Sequence, residues 1–169
     1  MKKNILTLSL FALLLSAACA KGSGFKVVDF KSQNLDGQAV DKKIFSKAEI
    51  TVLNVWGTFC PPCVGEMPEL GKWAKEMPEG ARLLGLLVDV PAGDKAGIKR
   101  AKKILLDADA DFENILADQS LEPFLANIQF VPTTFLIDKN GNIVGEPIVG
   151  ARVDQYKKAV KKYLNEKNK

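Results

Sequence analysis

The chain of 169 residues reads as one α/β domain, a central mixed sheet flanked by helices, behind a short N-terminal leader. Three observations give that class. Ile50–Trp56 and Leu83–Val88 are near-continuous apolar runs, the form taken by strands covered on both faces. Each is followed by a stretch whose apolar residues recur at helical spacing. The tight-turn sequence Lys139-Asn140-Gly141 then joins two further strand-like runs ahead of a last amphipathic segment.

In chain order, Phe25–Phe30 and Gln38–Val40 flank Asn34-Leu35-Asp36-Gly37, whose Asp-Gly predicts a small hairpin. Polar Lys42–Glu49 is a loop or a short helical turn. The core strand Ile50–Trp56 follows, then a helix from Pro61 to Glu76 that contains Pro68, where a kink is expected. Met77-Pro78-Glu79-Gly80 ends it. Arg82–Val90 is the next strand, Pro91-Ala92-Gly93 a loop, and Asp94 a cap for the following helix. There Ile98, Ala101, Ile104, Leu105 and Ala108 share a face opposite Lys99, Arg100, Lys102 and Lys103, which reads as a solvated side. Phe112–Ala117 is a short strand and Leu121–Ile128 a short helix. Thr133–Asp138 and Asn142–Val149 form a hairpin, broken by Gly150. Val153, Tyr156, Ala159, Val160, Tyr163 and Leu164 mark the C-terminal helix. Right-handed crossovers make the first strands parallel, with helices expected on both faces.

The leader has its own pattern. Lys2 and Lys3 precede the apolar run Ile5–Leu15 and then Ser16, Ala17 and Ala18, as in a secretory signal over residues 1–18. The run is short for a membrane span; an uncleaved anchor is the alternative. Ala18-Cys19-Ala20 permits cleavage after residue 20, giving a start at Lys21. Leu15-Ser16-Ala17-Ala18-Cys19 instead resembles a bacterial lipobox with Cys19 lipidated, although Ser16 stands where such boxes carry Leu. Residues 19–24 form a flexible tether and 25–169 the domain. The protein is therefore expected to be exported, to the periplasm or the outer face of the cytoplasmic membrane, with a lipid anchor or none. Removing Lys2 and Lys3 from the formal +4 leaves about +2, which gives no electrostatic case for nucleic acid.

The chemistry centres on Trp56-Gly57-Thr58-Phe59-Cys60-Pro61-Pro62-Cys63. Between a strand and a helix, Cys60 sits at the helix N-terminus. Unpartnered N–H groups and the helix dipole there stabilise a thiolate and lower its pKa. Pro61 suits the first helical position. Cys63 lies one turn on, so the two thiols can close and reopen a disulfide. The chain has three cysteines, one in the leader, and no histidine. That excludes a His-assisted hydrolase and leaves a zinc site short of ligands. A purely structural disulfide is the bland alternative, but so small a loop removes little unfolded-state entropy. The peroxidatic pattern Pro-x-x-x-Thr-x-x-Cys is absent. A second constellation, Phe130-Val131-Pro132-Thr133-Thr134-Phe135-Leu136, places a proline just before a strand, where a cis bond suits a sharp turn.

Trp-x-x-x-Cys-x-x-Cys, the proline before the late hairpin and the element order resemble the thioredoxin fold. Leu53 to Pro68 is similar, more narrowly, to the TlpA/ResA-like extracytoplasmic thiol–disulfide oxidoreductases. The resemblance runs from Phe25 to the C-terminus and includes an N-terminal hairpin extension and a central insertion around Pro91–Ala117. It implies that Cys60 is the attacking nucleophile, Cys63 the resolving thiol and Glu66 a carboxylate that shifts thiol pKa values or shuttles a proton. It implies a cis Val131–Pro132 bond beside the disulfide, with the Val131 backbone pairing with an incoming polypeptide. Trp56, Phe59, Pro61, Val131 and Pro132 would form the surface that receives it. Asn54 stands where ordinary thioredoxins keep a buried Asp, which points to Glu66 for the proton work. Phe59 replaces a more usual Trp, and Pro61-Pro62 is an unusual dipeptide between the cysteines. The implied protein is a monomeric disulfide reductase that needs no cofactor and no metal. Its expected partners are cysteine-containing extracytoplasmic proteins, among them apocytochromes before haem attachment, and a membrane thiol donor. The alternatives are a disulfide-forming oxidase of the same fold and a binding or chaperone module with an incidental cysteine pair.

Overall fold

The computed structural model describes residue 27 and residues 29–167. The leader, Cys19 and the tether lie outside the described residues. Strands β1 (Lys31–Gln33) and β2 (Ala39–Asp41) form a hairpin, and a 3-10 turn spans Lys42–Lys47. Strand β3 (Ile50–Trp56), helix α1 (Pro61–Lys75), strand β4 (Ala81–Leu87), helix α2 (Lys95–Asp107) and strand β5 (Asn114–Leu116) follow. Helix α3 (Glu122–Leu125), strands β6 (Thr133–Asp138) and β7 (Ile143–Val149) and helix α4 (Val153–Lys167) complete the chain.

The main sheet has the order β5-β4-β3-β6-β7. β3 pairs parallel with β4, and β4 with β5, whereas β6 runs antiparallel to both β3 and β7. β3 is central and buried at every position, as its unbroken apolar run requires. Its side chains alternate between two cores. Ile50, Val52 and Trp56 pack with Met67, Leu70, Ala101, Leu105, Tyr156 and Val160, from α1, α2 and α4. Leu53 and Val55 pack with Ile44, Phe45, Leu121, Phe124 and Phe135. Helices thus lie on both faces, as expected, but unevenly, with α1, α2 and α4 on one and only the short α3 on the other. Both parallel crossovers step the same way along the sheet, so a common hand puts α1 and α2 on one face. The opposite face is covered by the 3-10 turn, the short α3, Val27 and Phe30.

The first arm of the N-terminal hairpin also differs from its expected place. Pairing joins Lys31 to Asp41 and Gln33 to Ala39, next to the turn, rather than using Phe25–Phe30. Asn34 Oδ1 accepts from the N–H groups of Asp36 and Gln38, which fixes the turn and hence the register. Phe30 is buried in the core instead of alternating along a strand. The hairpin lies along β5: Leu35 N donates to Asn114 O at 3.0 Å, and Ser32 Oγ to Leu116 O at 2.5 Å. β7 is the other sheet edge and carries Pro147.

Candidate active site

The C-terminal end of β3 delivers the motif. The Gly57–Phe59 turn is pinned by Asp89, just beyond β4. Thr58 donates its N–H to Asp89 Oδ1 at 2.9 Å and its hydroxyl to Oδ2 at 2.5 Å. Arg100 of α2 donates Nε to Thr58 Oγ1 at 2.9 Å. Cys60 N then donates to Gly57 O, and Cys60 becomes the N-cap of α1 with extended backbone, its Sγ accepting from Cys63 N at 3.3 Å. The sulfur of Cys60 thus stands where capping oxygens usually stand, at the positive end of the helix dipole. Cys60 and Cys63 are joined by a disulfide with Cα atoms 5.2 Å apart. Cys60 retains 4% exposure and Cys63 none.

The Val131–Pro132 bond is cis, and Cys60 Sγ lies 3.5 Å from the Val131 carbonyl oxygen. That loop is held by Thr133 Oγ1 donating to Phe130 O at 2.7 Å and by Gly150 N donating to Pro132 O at 2.8 Å. Phe59 and Phe130 are about two-thirds exposed, at 67% and 66%, and Pro61 and Pro62 are also exposed. The rim around the disulfide is therefore apolar at these positions.

Trp56 does not belong to that rim. It is fully buried, and its Nε1 donates to Asn114 Oδ1 at 2.8 Å across Gly85. A Cβ at Gly85 would lie 1.8 Å from that oxygen, so the glycine makes room for the bond. Trp56 occupies the α1-facing side of β3, where its indole is a piece of core. The expectation that it meets substrate is corrected on that ground.

Glu66 is buried one turn beyond Cys63, not solvated. Its Oε1 accepts from Asn54 Nδ2 at 2.8 Å, and that amide also donates to Thr134 Oγ1 at 3.0 Å. Tyr156 of α4 lies 3.1 Å from Oε2. Burial pushes the Glu66 carboxyl up to about 7, and the bonds from Asn54 and Tyr156 only partly offset it. The same burial raises the Tyr156 phenol to about 12. Asn54, Thr134 and Tyr156 come together from β3, β6 and α4. Of these only Asn54 carried a signal, as a polar residue inside an apolar run; Tyr156 read simply as one apolar position of an amphipathic helix.

A disulfide that caps a helix, with one sulfur near the surface and its partner sealed beneath, is placed to be opened from one side. On this sheet, that makes the chain a thiol–disulfide oxidoreductase of the thioredoxin fold. Comparison with known proteins agrees. The chain belongs to the Redoxin family, whose model matches residues 21–163. It is 30% identical over 143 residues to the thiol-disulfide oxidoreductase ResA of Bacillus cereus, covering 83% of this chain and 76% of that one. It is 30% identical over 124 residues to ResA of Halalkalibacterium halodurans, covering 72% of this chain and 66% of that one. The thioredoxin domain of a thiol-disulfide oxidoreductase from Bacteroides vulgatus shares the fold with a TM-score of 0.66 at 22% identity, over 83% of this chain and 96% of that domain.

Proposed function

We propose that the protein is an extracytoplasmic disulfide reductase. The observation that carries the reading is the asymmetry of the pair, with Cys60 keeping a sliver of exposure at 4%, Cys63 none, and a buried, protonatable Glu66 one turn further along α1. In the reduced protein the Cys60 thiolate attacks one sulfur of a substrate disulfide. A Cys60–substrate bond forms, the substrate S–S bond breaks, and a substrate thiolate leaves. Glu66 takes the Cys63 proton, and the Cys63 thiolate attacks Cys60 Sγ. The second substrate thiolate departs, and the Cys60–Cys63 disulfide is left, with two electrons transferred. The substrate's backbone lies along Val131, and Phe59, Pro61 and Pro132 bear on its side chains. The pair itself supplies the chemistry, so no cofactor is needed. A membrane thiol donor restores the dithiol.

Lys2, Lys3 and the apolar run after them support export, either with residues 1–18 removed and Cys19 lipidated or with cleavage after residue 20, the remaining residues up to 24 serving as a tether. Among the described residues no helix is long and apolar enough to cross a membrane. Extracytoplasmic cysteine proteins, including apocytochromes awaiting haem, are the substrate class.

Two measurements test this. Equilibration of the full chain with a thiol buffer should give a potential near thioredoxin's, about −270 mV; a value near about −120 mV makes the protein an oxidase. Cys63→Ser should hold substrate as a mixed disulfide through Cys60, and Cys60→Ser should hold none. No trapping by either variant removes the exchange mechanism.

A further inference from the structure

Tyr156 is surrounded by more acceptors than it has hydrogens. Its Oη lies 2.6 Å from the Gly150 carbonyl oxygen and 3.1 Å from Glu66 Oε2, and it accepts from Arg152 N at 3.1 Å. A phenol carries one hydrogen, and a carbonyl oxygen can only accept. The shorter contact, to Gly150, claims that hydrogen. The Tyr156–Glu66 contact is then a hydrogen bond only when Glu66 supplies the hydrogen itself. Oε1 already accepts from Asn54, so the carboxyl proton belongs on Oε2. In that state Gly150 O, Oε2 and Arg152 N each have a partner.

Once Glu66 is ionised, Oε2 and Gly150 O compete for a single hydrogen. A charged acceptor forms the stronger bond, so the hydroxyl turns to Oε2 and Gly150 O loses its donor. The groups facing this point are Asn54 from β3, Thr134 from β6, Arg152 just before α4, Tyr156 from α4, and Glu69 from α1. Glu69 is itself paired with Lys157 at 2.7 Å. The segment that loses its donor is not remote from the sulfurs. Gly150 N holds Pro132 O, next to the Val131 carbonyl against which Cys60 Sγ lies.

We propose that Tyr156 is a positioning residue that couples the proton on Glu66 to the Gly150–Arg152 segment, and through Gly150 to the Val131–Pro132 loop. Proton transfer between Cys63 and Glu66 is then felt where a substrate polypeptide docks. The proposal deepens, and rests on, the reading of Glu66 as the proton acceptor of Cys63.

The test is NMR on the full-length oxidised protein between about pH 5 and 9, following the Glu66 carboxyl carbon and the amides of Gly150, Ala151 and Arg152. In the wild type, the three amides should titrate with the midpoint of the Glu66 carboxyl, near 7. In Glu66→Gln the amide titration should vanish. In Tyr156→Phe the carboxyl should still titrate while the amide changes shrink severalfold. Flat amides in the wild type, or undiminished changes in Tyr156→Phe, overturn the coupling. Should Tyr156→Phe not fold, the wild type and Glu66→Gln decide alone. The trapping experiment with Cys63→Ser reads the exchange mechanism separately, so its failure is distinguishable from failure of the coupling.

Discussion

The two faces of the sheet use the same strands for different ends. On the α3 face, Leu53, Val55, Leu84, Leu86, Phe135 and Ile137 meet Phe45 and Phe124, and the middle of the layer is apolar. On the α1 face a row in strict register crosses four strands: Asn114, Gly85, Asn54 and Thr134. The strand's period of two permits this, since alternate residues can be set independently. Burying the row has a cost, visible at Asn54 Oδ1, which is buried with no partner among the described residues. Asn54 in this row holds Glu66 and is itself bonded to Thr134, whereas on the other face of β3 the polar exception is Thr51, whose buried hydroxyl has no partner among the described residues. Asn54 and Thr134 in the row serve the site, Gly85 and Asn114 serve the packing of Trp56, and the apolar face serves the frame.

That contrast can be broken from either side. On the apolar face, Leu84→Ala should lose ~2–5 kcal/mol in chemical denaturation, with the reduction potential unchanged. A shifted potential would show that the frame also tunes the sulfurs. On the polar face, Glu66→Gln should do the reverse, slowing exchange while stabilising the fold. The folded carboxyl has a pKa raised above the unfolded value of 4.5 to about 7. Its favourable contribution is therefore present below about 4.5 and is lost as pH rises through about 7. The variant should be more stable than wild type by ~3 kcal/mol above neutrality, with the difference vanishing at low pH in a series of urea melts. The smallest effect sharpens the contrast within the row. Gly85→Ala forces Asn114 off the Trp56 indole and should cost ~1–3 kcal/mol, read by thermal melting. The Glu66 midpoint should stay put, because Gly85 and Asn114 belong to the structural half of the row.

Most of the frame was legible in the sequence, because strands and helices announce themselves by local period. Asp94 caps α2 as expected, accepting from Gly97 N at 3.0 Å, and Cys60 stands at the start of α1. Errors arose where tertiary context decides. Phe30 is as apolar as a strand residue but serves as a plug under the sheet, and the turn at Asn34 sets the pairing one segment later. Trp56 belongs to the same motif as the cysteines, yet strand alternation turns it inward. Cys60, Cys63, Glu66 and Pro132 were visible because they stand in compact motifs. Tyr156 lies 90 residues from Glu66 and Thr134 lies 80 from Asn54, so no local pattern could join them.

The treatment of the two sheet edges bears on how the protein behaves in a crowd of unfolded chains. An open edge strand is a template for any extended polypeptide, and repeated pairing of that kind leads to aggregates. Here the β1–β2 hairpin lies along β5 and takes up its outward hydrogen bonds, while Pro147 withholds a donor from β7. Both flanks are thereby made unreceptive to foreign backbone. A thiol–disulfide oxidoreductase, which works through a passing covalent bond, can then meet a partner at its sulfur and still let it go.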